Sequence, residues 1–145
     1  MFIMASEPAK GMTATEVEAY YADKHSPQDL ADAYAITHNQ FWWVEDNEYD
    51  FEVGSPEQKA ARMVTDEWCR LMKQYQERIF DILRSEGIEI PATGQIVVLT
   101  PFMKKYGYDD HRGWWGKVLS IVSKIQQKSH AVFRALQFHL GRPSI

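Results

Sequence analysis

The sequence predicts a mainly α protein, a helical bundle of about four helices with a small β-hairpin or extended insertion near residues 88–100. Three observations predict it. Hydroxyl side chains stand immediately before helix-type segments, three times with proline next in line. One apolar stripe recurs at three- and four-residue steps through more than twenty positions. The connections between these segments are short, so consecutive helices pack as antiparallel neighbours.

The first helix signal is Thr13-Ala14-Thr15-Glu16, a capping box in which hydroxyl and carboxylate each serve the other residue's backbone N–H. Residues 1–12 precede it and are expected to be flexible. Ser26-Pro27-Gln28-Asp29 opens a second helix, read as running to about Val44. Its proline lacks an N–H that the first helical turn does not need. Ser55-Pro56-Glu57-Gln58 repeats the device, with Gln58 placed to close a capping box.

Ala61, Val64, Trp68, Leu71, Tyr75, Ile79 and Ile82 form the stripe of this third helix. Gly87 is placed as a left-handed C-cap, and Ile88 as the residue that packs back. Ile88-Glu89-Ile90, a Pro-Ala-Thr-Gly turn region and Gln95 to Leu99 then read as extended, with Pro91 confining any strand to an edge. Thr100-Pro101 looks like another helix start, leading a short helical turn to Tyr106 that Gly107 ends. The last element is a basic amphipathic helix over residues 116–140. Val118, Val122, Ile125, Val132, Leu136 and Leu140 stripe it, while Lys117, Lys124, Lys128 and Arg134 sit mostly on other faces.

Length and composition are those of one globular domain: 145 residues, 45% hydrophobic and 13% aromatic. A single cysteine, Cys69, forbids an internal disulfide and suits a reducing cytoplasm. The Met1-Phe2-Ile3-Met4 start lacks signal-peptide character, and apolar runs such as Ile96 to Leu99 are too short for a bilayer. The expectation is a cytoplasmic protein with no membrane partner.

Charge is divided along the chain. Residues 1–100 carry 8 Lys and Arg against 18 Asp and Glu, and residues 101–145 carry 8 against 2. Such a split points to a charged partner or to two faces that meet. A basic tail packed near the acidic body is its simplest account.

The acidic part has a focus. Residues 45–52 read Glu-Asp-Asn-Glu-Tyr-Asp-Phe-Glu, with Phe41, Trp42 and Trp43 just before them. Closely spaced carboxylates imitate phosphates and fit a partner's Lys/Arg groove, and aromatics supply anchors. Trp42, Trp43, Glu45, Asp46, Glu48, Asp50 and Glu52 are therefore the candidate partner-binding residues. Calcium is rejected here. Asp46, Glu48, Asp50 and Glu57 fall at EF-hand ligand positions, but Phe51 stands where the loop's sharp turn needs glycine.

An alternative uses nucleic acid. Asp29 to Val44 resembles a helix-turn-helix in its apolar spacing, with His38, Asn39 and Gln40 as base readers. Ala35 replaces the usual turn glycine, and Glu45-Asp46 repel phosphates. Lys117, Lys124 and Lys128 on the basic helix complete this alternative. That helix is apolar over much of its circumference, which suits burial in the bundle or a homo-oligomer interface.

An enzyme built on Asp110, His111 and the Trp114-Trp115 pair ranks third, since no nucleophile is motif-linked to it. The five histidines show no i,i+4 pair and no Cys-x-x-Cys partner, so no metal or cofactor is expected.

The stretches SPQDLADAYAITHNQFWWVEDNEYDFEVGSPE and TGQIVVLTPFMKKYGYDDHRGWW resemble small proteins carried on mobile elements and prophages of gut Gram-positive bacteria. The resemblance spans about residues 13–115 and has no assigned activity to lend. It implies an accessory gene product acting on a host or competitor protein, such as an anti-defence-like inhibitor. The leading expectation is thus a non-enzymatic interaction protein.

Overall fold

The computed structural model describes residues 12–108 and 117–128. They form five helices and no strand: α1 (Ala14–Tyr20), α2 (Pro27–Glu48), α3 (Pro56–Ser85), α4 (Ile96–Lys105) and α5 over residues 117–128. The mainly α bundle predicted from the caps and stripe is the architecture observed.

The caps act as the sequence implies. Thr13 and Glu16 close a capping box on α1, and Ser26 and Asp29 close one on α2 with Pro27 at its first turn. Ser55 caps α3 by accepting from the Gln58 N–H at 3.1 Å. Gln58 does not close the box. Its Oε1 reaches one residue further and accepts from the Gly54 N–H at 2.7 Å. At the other end of α3, the Gly87 N–H donates to the Arg84 carbonyl and the Ile88 N–H to that of Leu83. This paired bonding needs a left-handed residue between them, and Gly87 supplies it with φ +84°.

Helices α2 and α3 make the dominant contact, and α1 packs on α3. Side-chain links set the direction. Glu48 at the end of α2 meets Arg62 near the start of α3, while Glu18 of α1 meets Arg70 and His25 meets Arg78. The pair is therefore antiparallel. Trp68, Leu71, Tyr75, Ile79, Phe80 and Leu83 of α3 bury against Leu30, Tyr34, Ile36 and their alanine neighbours on α2 in one core. The predicted stripe is right in its middle, but Val64 is exposed and Ala61 and Ile82 are only half-buried.

The extended insertion is corrected. Gln95 to Leu99, read as a hairpin arm, is the start of helix α4, and no strand occurs among the described residues. Val and Ile favour strands only where a pleated surface receives them. Here Leu99, Phe102 and Met103 bury at helical spacing and decide the outcome. Pro101 is not a helix start; it lies inside α4.

Helix α5 buries Val118, Val122 and Ile125, the first three positions of its stripe. A polar seam anchors this side of the bundle. Tyr108 Oη donates to Asp32 Oδ1 at 2.6 Å, and Gln28 Nε2 donates to the same oxygen and to the Tyr106 carbonyl. Lys117 Nζ also donates to the Tyr106 carbonyl.

Buried tyrosines give the fold an alkaline limit. Burial pushes the Tyr34 and Tyr75 hydroxyls up to about 12, with Glu18 adding to the effect on Tyr75. Burial also raises Tyr108, together with its bond to Asp32, and raises Tyr21, beside the Asp32 charge. A hydroxyl whose folded value exceeds its unfolded value favours folding below the unfolded value, and that favour disappears as pH rises through the folded value. Stability is therefore expected to fall between pH values of about 10 and 12. Tyrosinate absorbance and loss of helical circular dichroism should rise together in that window; tyrosines that all ionise near 10 with helicity intact contradict it.

Candidate interaction surface

The α2–α3 turn and the helix ends beside it form one tip of the bundle. Helix α2 continues past the expected Val44 to Glu48, so Glu45, Asp46 and Glu48 are helical and only Asp50 and Glu52 lie in the turn. The helix ends there because Asn47 and Glu48 carbonyls accept from Asp50 and Phe51, and the chain then reverses through Gly54 at φ +81°.

The tip exposes apolar side chains that a single-chain core does not absorb. Trp42 is 48% exposed, Tyr49 71%, Val53 87% and Met63 72%, and Phe51 and Val64 are also open to solvent. Asp46, Asp50, Glu52 and Glu57 are exposed among them. No Lys or Arg occurs between residues 45 and 58. Lys59 and Arg62 flank Met63 on α3, but along the turn itself the apolar anchors have only carboxylates beside them, an arrangement that steers and then holds a basic partner. Two expected members are less available, since Trp43 and Glu45 are half-buried.

Glu48 differs in kind. It is 4% exposed and turned inward, where Arg62 Nη1 donates to its Oε2 at 3.0 Å. Its Oε1 has no hydrogen-bond partner among the described residues. Arg62 also approaches Asp66 at 3.8 Å. Glu48 therefore belongs to the internal support of the tip, because the α2 face that carries it packs on α3.

Trp42 is oriented by its own helix. Its Nε1–H donates to His38 Nε2 at 3.2 Å, and the His38 ring in turn lies 5.7 Å from the Tyr34 ring. These residues are four apart and stack along one helix face.

The same observations redraw the base-reading segment. A helix-turn-helix needs a break near Ala35, and α2 runs unbroken through it. Ala33, Ala35 and Ile36 are fully buried, so packing favours continuous helix there. Gln40 is 2% exposed, Asn39 is half-buried, and His38 is engaged by Trp42. On α5, Lys117, Lys124 and Lys128 are exposed. Lys117 stands over the Tyr108 ring and Lys128 over the Tyr20 ring.

The residues proposed for an enzyme, Asp110, His111, Trp114 and Trp115, lie outside the described residues, as does the basic helix beyond residue 128. Among the described residues no acidic, histidine or cysteine cluster could hold a metal ion. Nor is any described helix long and apolar enough to cross a membrane. Cys69 is a free, half-buried thiol.

A second apolar feature lies at the far end of α3. Leu83, Ile88, Val97, Val98 and Phe102 line a shallow cleft of about 290 Å³. Its rim carries Glu86 and Lys105, one charge of each sign, whereas the α2–α3 turn carries acids alone.

Sequence reasoning located the acids and aromatics of the tip but missed Met63. The available signal was length: the α3 pattern is longer than that of α2, so its first turns extend beyond the core. No protein-family model, curated protein or solved structure matches the chain.

Proposed function

We propose that this chain is a non-enzymatic interaction protein that docks the α2–α3 tip on a basic protein surface. The basic groove of a nucleic-acid enzyme is the partner chemistry that fits best, because carboxylates spaced along a helix end can occupy sites meant for phosphates. One observation carries the reading: Trp42, Tyr49, Phe51, Val53, Met63 and Val64, in or within about three turns of the α2–α3 connection, are each exposed, and residues 45–58 carry carboxylates and no Lys or Arg. Solvent-exposed apolar side chains that cluster and are rimmed by charge mark interaction sites. In this reading the aromatics hold the partner and the acids speed its approach. An accessory role against a host or competitor protein, in keeping with the mobile-element resemblance, is part of the same proposal.

The test uses Asp46 and Asp50, which are exposed and make no ion pair among the described residues. The Asp46→Lys/Asp50→Lys variant should keep the wild-type melting temperature and lose capture of a polybasic peptide or a phosphate-binding protein. Capture that survives the double reversal refutes the proposal.

A further inference from the structure

We infer that the chain also recognises itself, the acidic tip of one copy docking on the exposed lysine edge of α5 in a second copy. This rests on the reading of the tip as a basic-surface binder and names one such surface.

The two charges sit apart in the fold. Lys117 is held at the Tyr106 carbonyl and over the Tyr108 ring, and Tyr108 bonds Asp32 near the start of α2. From Asp32 to Glu48 the helix rises about 24 Å. At the other end of α5, Lys128 lies over the ring of Tyr20, whose neighbour Tyr21 packs on Tyr75. From Tyr75 back to Arg62, beside the tip, α3 spans roughly 20 Å. The described part of the basic tail therefore packs on the core without neutralising the acidic run of its own chain. Residues 117–128 thus pack on the acidic body as expected, with Lys128 adding to Lys24 in favouring the charged form of Asp23, but away from residues 45–52.

The two surfaces are also complementary in charge. The exposed side of α5 carries three lysines and no acid, and Lys117, Lys124 and Lys128 fall within about 40° of one another around the helix. Leu119, exposed on the same helix, lies nearly opposite the lysines, so the edge itself is a purely charged surface. A tip-to-tip pairing would place like charges together and is disfavoured. Acidic tip against basic helix is the arrangement in which each copy presents what the next one lacks.

Such a contact joins different patches on the two copies, so it is head to tail. It closes into a ring or continues as a chain, depending on the rotation between copies. Because the charges are exposed, it should be strong at low salt, where screening extends over about 30 Å, and weak at physiological salt, where it extends over about 8 Å.

Sedimentation velocity on the full chain, over a range of concentrations, tests the inference. At low salt the wild type should shift from monomer to dimer and larger species as concentration rises, and it should return to monomer in high salt. Asp46→Lys/Asp50→Lys and Lys124→Glu/Lys128→Glu should each be monomeric, with helical circular dichroism retained. A one-to-one mixture of the two variants should associate again, since each restores the partner charge the other needs. A wild type that stays monomeric at low salt overturns the inference. So does association that neither reversal weakens, or a mixture that stays monomeric. Titration with a polylysine peptide separates the two readings. Peptide binding by a monomeric wild type leaves the basic-partner proposal standing while self-recognition fails, and absence of peptide binding removes both.

Discussion

Trp68→Ala should lower the unfolding free energy by about 3–5 kcal/mol, the usual cost of deleting a buried large aromatic and leaving a cavity. Trp68 is 2% exposed at the centre of the α3 stripe, facing the core that α1 and α2 close over it. Domains of this size have a total stability of about 5–15 kcal/mol, so the loss takes a large share of it. The melting temperature should fall by roughly 10 °C, at about 2–4 °C per kcal/mol. Trp42→Ala is the matched control. It removes the same side chain from a half-exposed place and should cost little stability while weakening capture by the tip. Equal melting temperatures for the two variants would contradict the core assignment of Trp68.

Arg62→Ala is the second large effect, and its size should depend on residue 48. In the wild type Arg62 donates a hydrogen bond to the Glu48 carboxylate, whose other oxygen is buried with no partner among the described residues. Removing Arg62 leaves a buried carboxylate without its cation, at a cost of about 1–3 kcal/mol. Half of Arg62 faces solvent, which keeps the cost below that of a fully buried pair. Glu48→Met fills the same space without a charge and should be close to neutral. In that background Arg62→Ala should cost almost nothing. Urea midpoints of the four proteins measure the coupling, and an equal cost in both backgrounds rules out the ion pair as the support of the tip.

Reversing Glu48 would therefore confuse folding with binding. That is why the test of partner capture uses Asp46 and Asp50. From the residue string alone Glu48 and Asp50 look equivalent, two carboxylates in one acidic run. They differ because one lies on the α2 face that α3 covers and the other lies in the turn.

Legibility was highest where a local signal acts within a few residues. The three Ser/Thr caps, the glycine after α3 and the stripe from Trp68 to Ile79 depend on backbone groups and side chains within one or two turns. Each could be read without a partner helix. The acidic-aromatic composition of the tip was equally plain, since charge and residue type need no fold to be counted.

Other features depended on what lies opposite. Gln95 to Leu99 has the composition of a strand, yet no neighbouring strand is there to pair with it. Burial of Leu99, Phe102 and Met103 on the bundle makes it helix instead. Ala35 looked like a turn position, but full burial against the core keeps α2 continuous. By itself, the sequence determined where α1, α2 and α3 begin, where α3 ends and how charge is divided along the chain. Only the tertiary structure decided which carboxylates point outward and how far the lysine edge lies from the acidic tip. The reason is that exposure and long-range charge separation are properties of packed surfaces, set by contacts between residues far apart in the chain.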